Sequence, residues 1–346
     1  MNPPKITGGI ITYNRPKFLR EAVDSVLLQS FKDFELIISN DYVDVPVTLD
    51  SLGIENDGRI KIVNQVCNLG ELKNMNFLLE VAQGEWFVWL ADDDLIHPEF
   101  LALANEAILK FGEKDVAAFF SNYSSGNCPD GVFPPRLKSN QPSCDGTERF
   151  LLDYSSRRKP LIGCYGVMNV AALRKVGGMP RLGNSFSPYG DTLIPILLAE
   201  HGMICWLDEP LVFLRTHPDS LSCNAAEFSA YTSAEVDFLE RLRRVCGNMG
   251  ASIKTDKVIA NMVKWFSINE WMVLCRTSSL GKYALTKQFI EYQLSVNFPR
   301  LSLRHKFHHL LFTVRFLGMR LLLEVHARLR TAFEGMLAVA PGSGSR

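Results

Sequence analysis

The sequence predicts an α/β protein: a mixed sheet flanked by helices, followed by a helical C-terminal region. Three observations carry that prediction. Short apolar runs rich in β-branched residues alternate with segments of helical periodicity as far as Ser222. The run Glu85-Trp-Phe-Val-Trp-Leu90 is apolar on both faces, as suits a central strand covered by helices on each side. From Ala225 onward the pattern is helical almost throughout.

The elements follow in order. Ile6 to Tyr13 is a strand, and after Pro16 the residues Phe18, Leu19, Ala22, Val23, Val26 and Leu27 recur at helical spacing. Phe34 to Ser39 is the next strand and ends on Asn40-Asp41; Arg59 to Val63 is a third, and Leu72 to Ala82 a helix. After the buried run at 85–90, Pro98 to Phe111 reads as a helix and Val116 to Asn122 as a strand. Ser124 to Thr147, rich in Ser, Gly, Pro and Asn, reads as a long loop of the lid or binding kind. Tyr165 to Asn169 resumes strand character, Asp191 to Glu200 is helical, and Ile204 to Leu207 and Val212 to Arg215 are two short strands. Helical segments near 226–246, 253–277, 282–296 and 301–337 complete the chain, with Pro341 to Arg346 as a flexible end. The division expected is residues 1–222 as the catalytic domain and 223–346 as the helical region.

Composition narrows the classes. The 346 residues are long enough to bury a full core, and 47% hydrophobic with 21% charged residues is the balance of a folded enzyme. The 37 basic residues equal the 37 acidic ones, so no global field draws the chain to nucleic acid. Eight cysteines (67, 128, 144, 164, 205, 223, 246, 275) are scattered without a C-x-x-C pair. That pattern predicts reduced thiols in a cytoplasmic setting, with neither a zinc site nor a disulfide framework. The N-terminus lacks the apolar stretch of a secretory leader. The most apolar segment, Leu310 to Leu323, is interrupted by Arg315 and Arg320, which argues against a membrane span.

In open α/β sheets ligands bind outside the carboxyl ends of the strands, so Thr12 to Asn14, Asp41 and Asp92 to Asp94 are predicted to converge on one rim. Three neighbouring carboxylates repel each other by roughly 3 kcal/mol per pair at about 5 Å and an effective dielectric near 20. A divalent cation removes that cost, and hard oxygen ligands suit magnesium or manganese with positions left open for phosphates. Strand alternation would put Asp92 and Asp94 on one side. Without its setting, a triple aspartate is more often a solvated turn or a helix cap; its place directly after a buried strand points to a site.

The strings Ile11-Thr-Tyr-Asn-Arg15, Ser25 with Gln29, Ile37-Ile-Ser-Asn-Asp41, Asn68-Leu-Gly70, Asn76, Ala82-Gln-Gly84 and Trp89-Leu-Ala-Asp-Asp-Asp-Leu95 resemble, in order and nearly in spacing, the family 2 glycosyltransferases of the GT-A fold. The resemblance covers about the first 220 residues. It implies a Rossmann-like mixed sheet and an inverting transferase that uses a nucleotide sugar, usually a UDP-sugar, with manganese or magnesium. Thr12, Tyr13 and Arg15 would line the nucleotide-sugar pocket, with Asp41 reaching the base. Asp92 to Asp94 match the acidic element that meets the diphosphate: Asp92 and Asp93 on the nucleotide-sugar side, Asp94 and then Asp92 on the metal. His217, in Arg215-Thr-His-Pro-Asp-Ser220, would join the metal or the phosphates. Where relatives carry an Arg before the matched Asn76, this chain has Met75, and Lys73 is the expected substitute. Tyr189-Gly-Asp191 resembles the family's catalytic acidic pair with its first acid missing, which makes Asp191 the expected base.

Between Arg300 and Arg330 lie seven Lys or Arg, four His and one acid, Glu324, interleaved with Leu, Phe and Val. Such a segment either lies on an anionic membrane surface at the inner face of the cell membrane or packs on the protein or on a second copy of it. A lipid-linked or glycan acceptor fits the first reading. Two other functions share parts of the pattern. A sugar-phosphate nucleotidyltransferase also uses acids and a metal, but Gly8-Gly9 sits inside a strand instead of a basic phosphate loop. A non-catalytic nucleotide-sugar binding module would keep the fold and lose turnover.

Overall fold

In a computed structural model the protein is described for residues 3–127, 133, 140–183, 187–217, 228–250, 254–277, 282–302, 305–306, 308–310 and 312–317. The chain divides into two compact units, Met1–Ile259 and Ala260–Arg346.

The first unit is a nine-stranded mixed sheet with helices. Its first half runs β1 (Ile6–Thr12), α1 (Pro16–Leu27), β2 (Phe34–Asn40), α2 (Leu49–Leu52), β3 (Ile60–Asn64), α3 (Glu71–Val81) and β4 (Trp86–Ala91). The second half runs β5 (Leu95–Ile96), α4 (Phe100–Phe111), β6 (Val116–Gly126), β7 (Ser143–Asp145), α5 (Thr147–Ser155), a 3-10 turn at Gly163–Tyr165, β8 (Val167–Asn169), α6 (Val170–Lys175), α7 (Gly190–Leu198) and β9 (Met203–Arg215). The spatial order is β3-β2-β1-β4-β8-β6-β9-β5, with β7 also paired to β9.

Strands β1 to β4 run parallel to one another, Thr12 lying beside Asn40 and Ile11 beside Ala91, so their carboxyl ends form one rim, while β8 runs antiparallel beside β4. β4 is buried along nearly its whole length because both faces are apolar, and Trp86 and Phe87 are wholly inside. Burying such side chains contributes roughly 1.5–3 kcal/mol each, which makes this strand the mechanical floor of the rim. The core beside it is filled by Leu19, Val23 and Val26 of α1 and by Phe100, Leu101, Ala104 and Ile108 of α4. Pro16 starts α1 at a position where its missing N–H costs nothing.

Several sequence expectations change here. The two short strands expected at 204–207 and 212–215 are one strand, β9, which continues through Pro210 because the β6–β9 pairing shifts register there. β6 runs on to Gly126, and the expected loop 124–147 contains β7. The short elements β5, α5 and α6 carry too little periodic pattern to be seen in the sequence.

The expectation of wholly reduced thiols is corrected: Cys144 and Cys205 form a disulfide between β7 and β9. They are direct cross-strand partners, a juxtaposition that residues 61 apart in sequence acquire only when the sheet forms. Cys67, Cys164, Cys246 and Cys275 are thiols and take no part in a disulfide.

Helix α8 (Phe228–Asn248) belongs to the first unit, its Asp237 accepting the Gly183 N–H at 2.8 Å. Helix α9 (Thr255–Thr277) runs across the boundary residue, and the second unit continues with α10 (Lys282–Tyr292), a π turn at Gln293–Asn297 and a 3-10 turn at Phe298–Arg300. Within it Ser267, Asn297 and His309 gather on the Gln293 side-chain oxygen at 2.9, 3.1 and 2.9 Å. No helix among the described residues is long and apolar enough to cross a membrane. Most of the basic segment 300–330 lies outside the described residues.

Candidate active site

The rim expected from the sequence is present, and its geometry starts at the turn after β4. The strand ends at Ala91 and the chain turns, Asp94 N–H pointing back to the Ala91 carbonyl, so strand alternation stops before the aspartates. Each carboxylate therefore meets a different neighbour. Asp92 accepts from the Thr12 hydroxyl at 2.7 Å and from Arg15 at 3.2 Å. Asp93 takes the same Arg15 at 3.0 Å and lies 2.9 Å from His217 Nε2. Asp94 accepts from the Arg215 backbone N–H at 2.8 Å and from the Tyr165 hydroxyl. Asp92 and Asp93, not Asp92 and Asp94, share a partner.

Burial, then the charge of Asp93, pushes Asp94 up to about 7. The Tyr165 hydroxyl, the Arg215 backbone N–H and the charge of the Arg215 side chain soften that rise. Burial raises Asp92 as well, against the Thr12 hydrogen bond. Behind the turn, Gln29 donates to the His97 carbonyl at 2.7 Å and accepts from Leu101 N–H at 3.0 Å, while Ser25 accepts from Ile96 N–H. Ser25 in α1 and Gln29 just beyond its end thus tie down the residues that follow the aspartates.

Asp41 is buried, and its carboxylate accepts the backbone N–H groups of Leu69 at 2.7 Å and Gly70 at 2.8 Å. Gly70 has φ +78°, a conformation that favours glycine, and it opens α3. Tyr13 is 52% exposed and meets Tyr42 edge to face at 5.1 Å, so two aromatic rings stand over the rim beside Asp41. Lys73 is exposed on the first turn of α3. Asn76, further along that helix, clamps the Met179 backbone with bonds of 3.0 and 2.7 Å.

The remaining candidate, Asp191, is carried by α7. Asp191 lies in its first turn, behind a Tyr189 cap with φ +70°. Burial raises the Asp191 carboxyl, while its bonds to Thr192 and the charge of Arg157 pull it down. The 3-10 turn presses on it from below: a Cβ at Gly163 would lie 1.9 Å from the Asp191 carbonyl oxygen. Glu71, at the start of α3, is raised by desolvation and then by the charge of Asp191, although its side chain remains solvent-exposed. The Cys164 thiol stands within reach of Asp191, Asp94 and Glu71, and burial keeps it protonated. Neither Glu71 nor Tyr165 was legible as a site residue; no spacing in the sequence ties them to 92–94 or 191.

The residues suit a hard divalent cation. Asp94 is a buried carboxylate hydrogen-bonded by the Tyr165 hydroxyl and the Arg215 backbone N–H, and His217 Nδ1 is buried with no hydrogen-bond partner among the described residues. Asp92 is largely committed to Thr12 and Arg15. Among the described residues no group of three or more His, Cys, Asp or Glu converges as a complete protein cage. Magnesium and manganese sites that hold phosphates typically use one or two carboxylates.

The mixed sheet, the aspartate turn at its rim and the helical continuation define the GT-A class of glycosyltransferase folds. Residues 9–161 match the family profile Glycosyl transferase family 2. A GalNAc(5)-diNAcBac-PP-undecaprenol beta-1,3-glucosyltransferase of Campylobacter jejuni is 34% identical over 122 residues, covering 34% of this chain and 38% of that protein. The glycosyltransferase GlyA of Streptococcus pneumoniae is 28% identical over 130 residues, covering 37% of this chain and 18% of that protein. The chain thus spans under two fifths of the length of these curated relatives. Among solved structures, S. aureus TarS 1–349 in complex with UDP-GlcNAc superposes with a TM-score of 0.54 at 17% identity, over 83% of this chain and 81% of that one.

Proposed function

We propose that the chain is an inverting glycosyltransferase that moves a sugar from a nucleotide-sugar donor, a UDP-sugar in the first instance, to a hydroxyl of a glycan or lipid-linked acceptor. One observation carries the reading. The aspartate turn 92–94 and Asp191 act on the same two neighbours: Asp191 and Asp93 on Glu71, and Asp191 and Asp94 on Cys164. The aspartate turn is suited to a departing diphosphate and Asp191 to an incoming hydroxyl.

The donor's nucleoside would lie over Tyr13 and Tyr42, along the edge that Thr12, Arg15 and Asp41 shape. Asp94, with Asp92 and His217, would hold magnesium or manganese; when bound, the ion would offset charge on the diphosphate. Asp93 and Arg15 orient that side, and Lys73 is the nearby exposed cation for a phosphate oxygen. Asp191 takes the proton from the acceptor hydroxyl as its oxygen bonds to the anomeric carbon. The bond from that carbon to the diphosphate oxygen breaks with its electrons, so one displacement inverts the centre. A carboxyl raised by burial is better matched to this proton transfer near neutral pH than a free one.

A lipid-linked acceptor gains support from the name of the Campylobacter relative, and it would place the protein at the inner face of the membrane through residues 300–330. Liposome flotation of the full chain against one ending near Asn297 tests that point, and equal partition of both would remove it.

The central test is release of UDP and of glycosylated acceptor from a panel of UDP-sugars with manganese. Asp191→Asn is expected to abolish transfer while leaving nucleotide affinity within about twofold. Full activity in that variant removes Asp191 from the mechanism. Pyrophosphate release from a nucleoside triphosphate and a sugar phosphate would favour nucleotidyl transfer instead.

A further inference from the structure

Asp94 is held by two segments distant from it in sequence, one on each carboxylate oxygen. The Arg215 backbone N–H, at the end of β9, donates to Oδ1 at 2.8 Å, and the Tyr165 hydroxyl donates to Oδ2. The sheet fixes the first donor. The second depends on where the turn Gly163–Tyr165 sits, and the transfer reading gives Tyr165 no part.

Two features place that turn. β8 runs antiparallel to β4, with Phe87 beside Met168 and Trp86 beside Asn169, so the residues before Val167 run toward the carboxyl end of β4, where the aspartates follow. Glycines on either side of Tyr165 then let the turn pack where a side chain would collide. A Cβ at Gly166 would lie 2.1 Å from Cε1 of Phe120, in β6, and one at Gly163 would lie 1.9 Å from the Asp191 carbonyl oxygen and 2.7 Å from Pro195 Cδ. Carbon atoms in contact settle at about 3.5–4.0 Å, so a side chain at either position would force its neighbour away.

The turn is thus wedged between β6 and the first turn of α7. Tyr165 N–H closes it on the Ile162 carbonyl at 3.1 Å, and the Tyr165 side chain is buried. Tyr154 of α5 holds the same part of α7 separately, its hydroxyl donating to the Thr192 carbonyl at 3.0 Å. One short turn therefore meets both acids of the proposed reaction: the backbone of Asp191 through Gly163, and the carboxylate of Asp94 through Tyr165.

We propose that Tyr165 is a positioning residue: its hydroxyl fixes the orientation of the Asp94 carboxylate for a divalent cation, and the turn that carries it sets the spacing between Asp94 and Asp191. Each carboxylate oxygen has two lone pairs, so one donor on each stops the group rotating and still leaves a lone pair for the cation. This deepens the transfer reading and rests on it for the cation, while the wedged turn stands on packing alone.

The test is a manganese titration in saturating UDP, read from the electron paramagnetic resonance of unbound manganese, with the native chain, Tyr165→Phe and Tyr154→Phe. Tyr165→Phe keeps the ring and removes the donor, and it is expected to weaken manganese binding by about 10–100-fold, the usual cost of losing a partner behind a metal ligand. Tyr154→Phe also removes one buried hydroxyl bond, on the α7 side, and is expected to keep the native affinity. Native affinity in Tyr165→Phe overturns the proposal, as does an equal loss in both variants, which reports general destabilisation. Thermal midpoints identify a variant that does not fold, and Tyr165→Met, which fills space without a donor, then replaces Tyr165→Phe against the same outcomes. Where transfer is measurable, Gly163→Ala, which pushes on the Asp191 backbone, is expected to lower kcat while manganese affinity holds, and an unchanged kcat removes the spacing role. No manganese binding by the native chain refutes the metal reading and the proposal together, whereas native binding with an unaffected Tyr165→Phe refutes the proposal alone.

Discussion

His217 Nε2 stands 2.9 Å from Asp93 Oδ2, the oxygen that Arg15 also holds at 3.0 Å. The imidazole is stacked on Phe18 at 4.6 Å, and the Arg215 guanidinium lies 5.1 Å from the same ring, so Phe18 sets the height of both groups above the aspartate turn. Phe18→Ala is expected to lower donor affinity at least tenfold without touching any ligand contact, because two polar groups lose their shared support. Isothermal titration with UDP and manganese checks this, and an unchanged affinity would show that His217 and Arg215 are positioned by other means.

Asp41 offers a way to separate support from recognition. Its carboxylate already accepts two backbone N–H groups, from Leu69 and Gly70. Asp41→Asn presents an amide NH2 to one of those donors, a mismatch that costs about 1–3 kcal/mol. Urea unfolding is expected to show that loss in the absence of any nucleotide. A variant with native stability and weakened nucleotide binding would assign Asp41 to the base alone.

The disulfide between Cys144 and Cys205 closes a loop across 61 residues of sequence separation. Chain-entropy arguments allow up to about 4 kcal/mol for a loop of that length. Peptide mapping without reductant is expected to find the two cysteines linked, and Cys144→Ser to lower the thermal midpoint in oxidising buffer. Identical midpoints with and without reductant would argue against a stabilising link.

His309, buried in the second unit, has its ring pushed down to about 4 by burial and by Lys264. The sign follows from proton counting: between the unfolded value near 6.5 and about 4, the unfolded chain binds the proton and the folded chain does not. Stability is therefore full above about 6.5 and falls as the pH drops toward 4, by an amount on the order of 3 kcal/mol. Unfolding of the native chain and His309→Gln from pH 7.5 to 4.5 checks this; the variant's curve is expected to be the flatter over that window.

The bond network of Asp94 was hidden from the sequence for a geometric reason. Tyr165 and Arg215 lie 71 and 121 residues away and arrive through the 3-10 turn and the end of β9. The Asp92–Asp93 pairing through Arg15 was hidden for another: the chain turns at Ala91, so strand alternation no longer applies. Ser25 and Gln29, by contrast, were visible as part of a pattern, and the structure supplies their work in anchoring residues 96 to 101.

The sequence by itself determined the α/β alternation, the buried central strand and the rim of strand ends. These depend on local periodicity and on residue types that stay adjacent along the chain. Tertiary structure alone decided which carboxylate meets which donor and the Cys144–Cys205 pairing. Those depend on long-range packing, in which elements with weak local signals are brought together by the sheet and the helices laid on it.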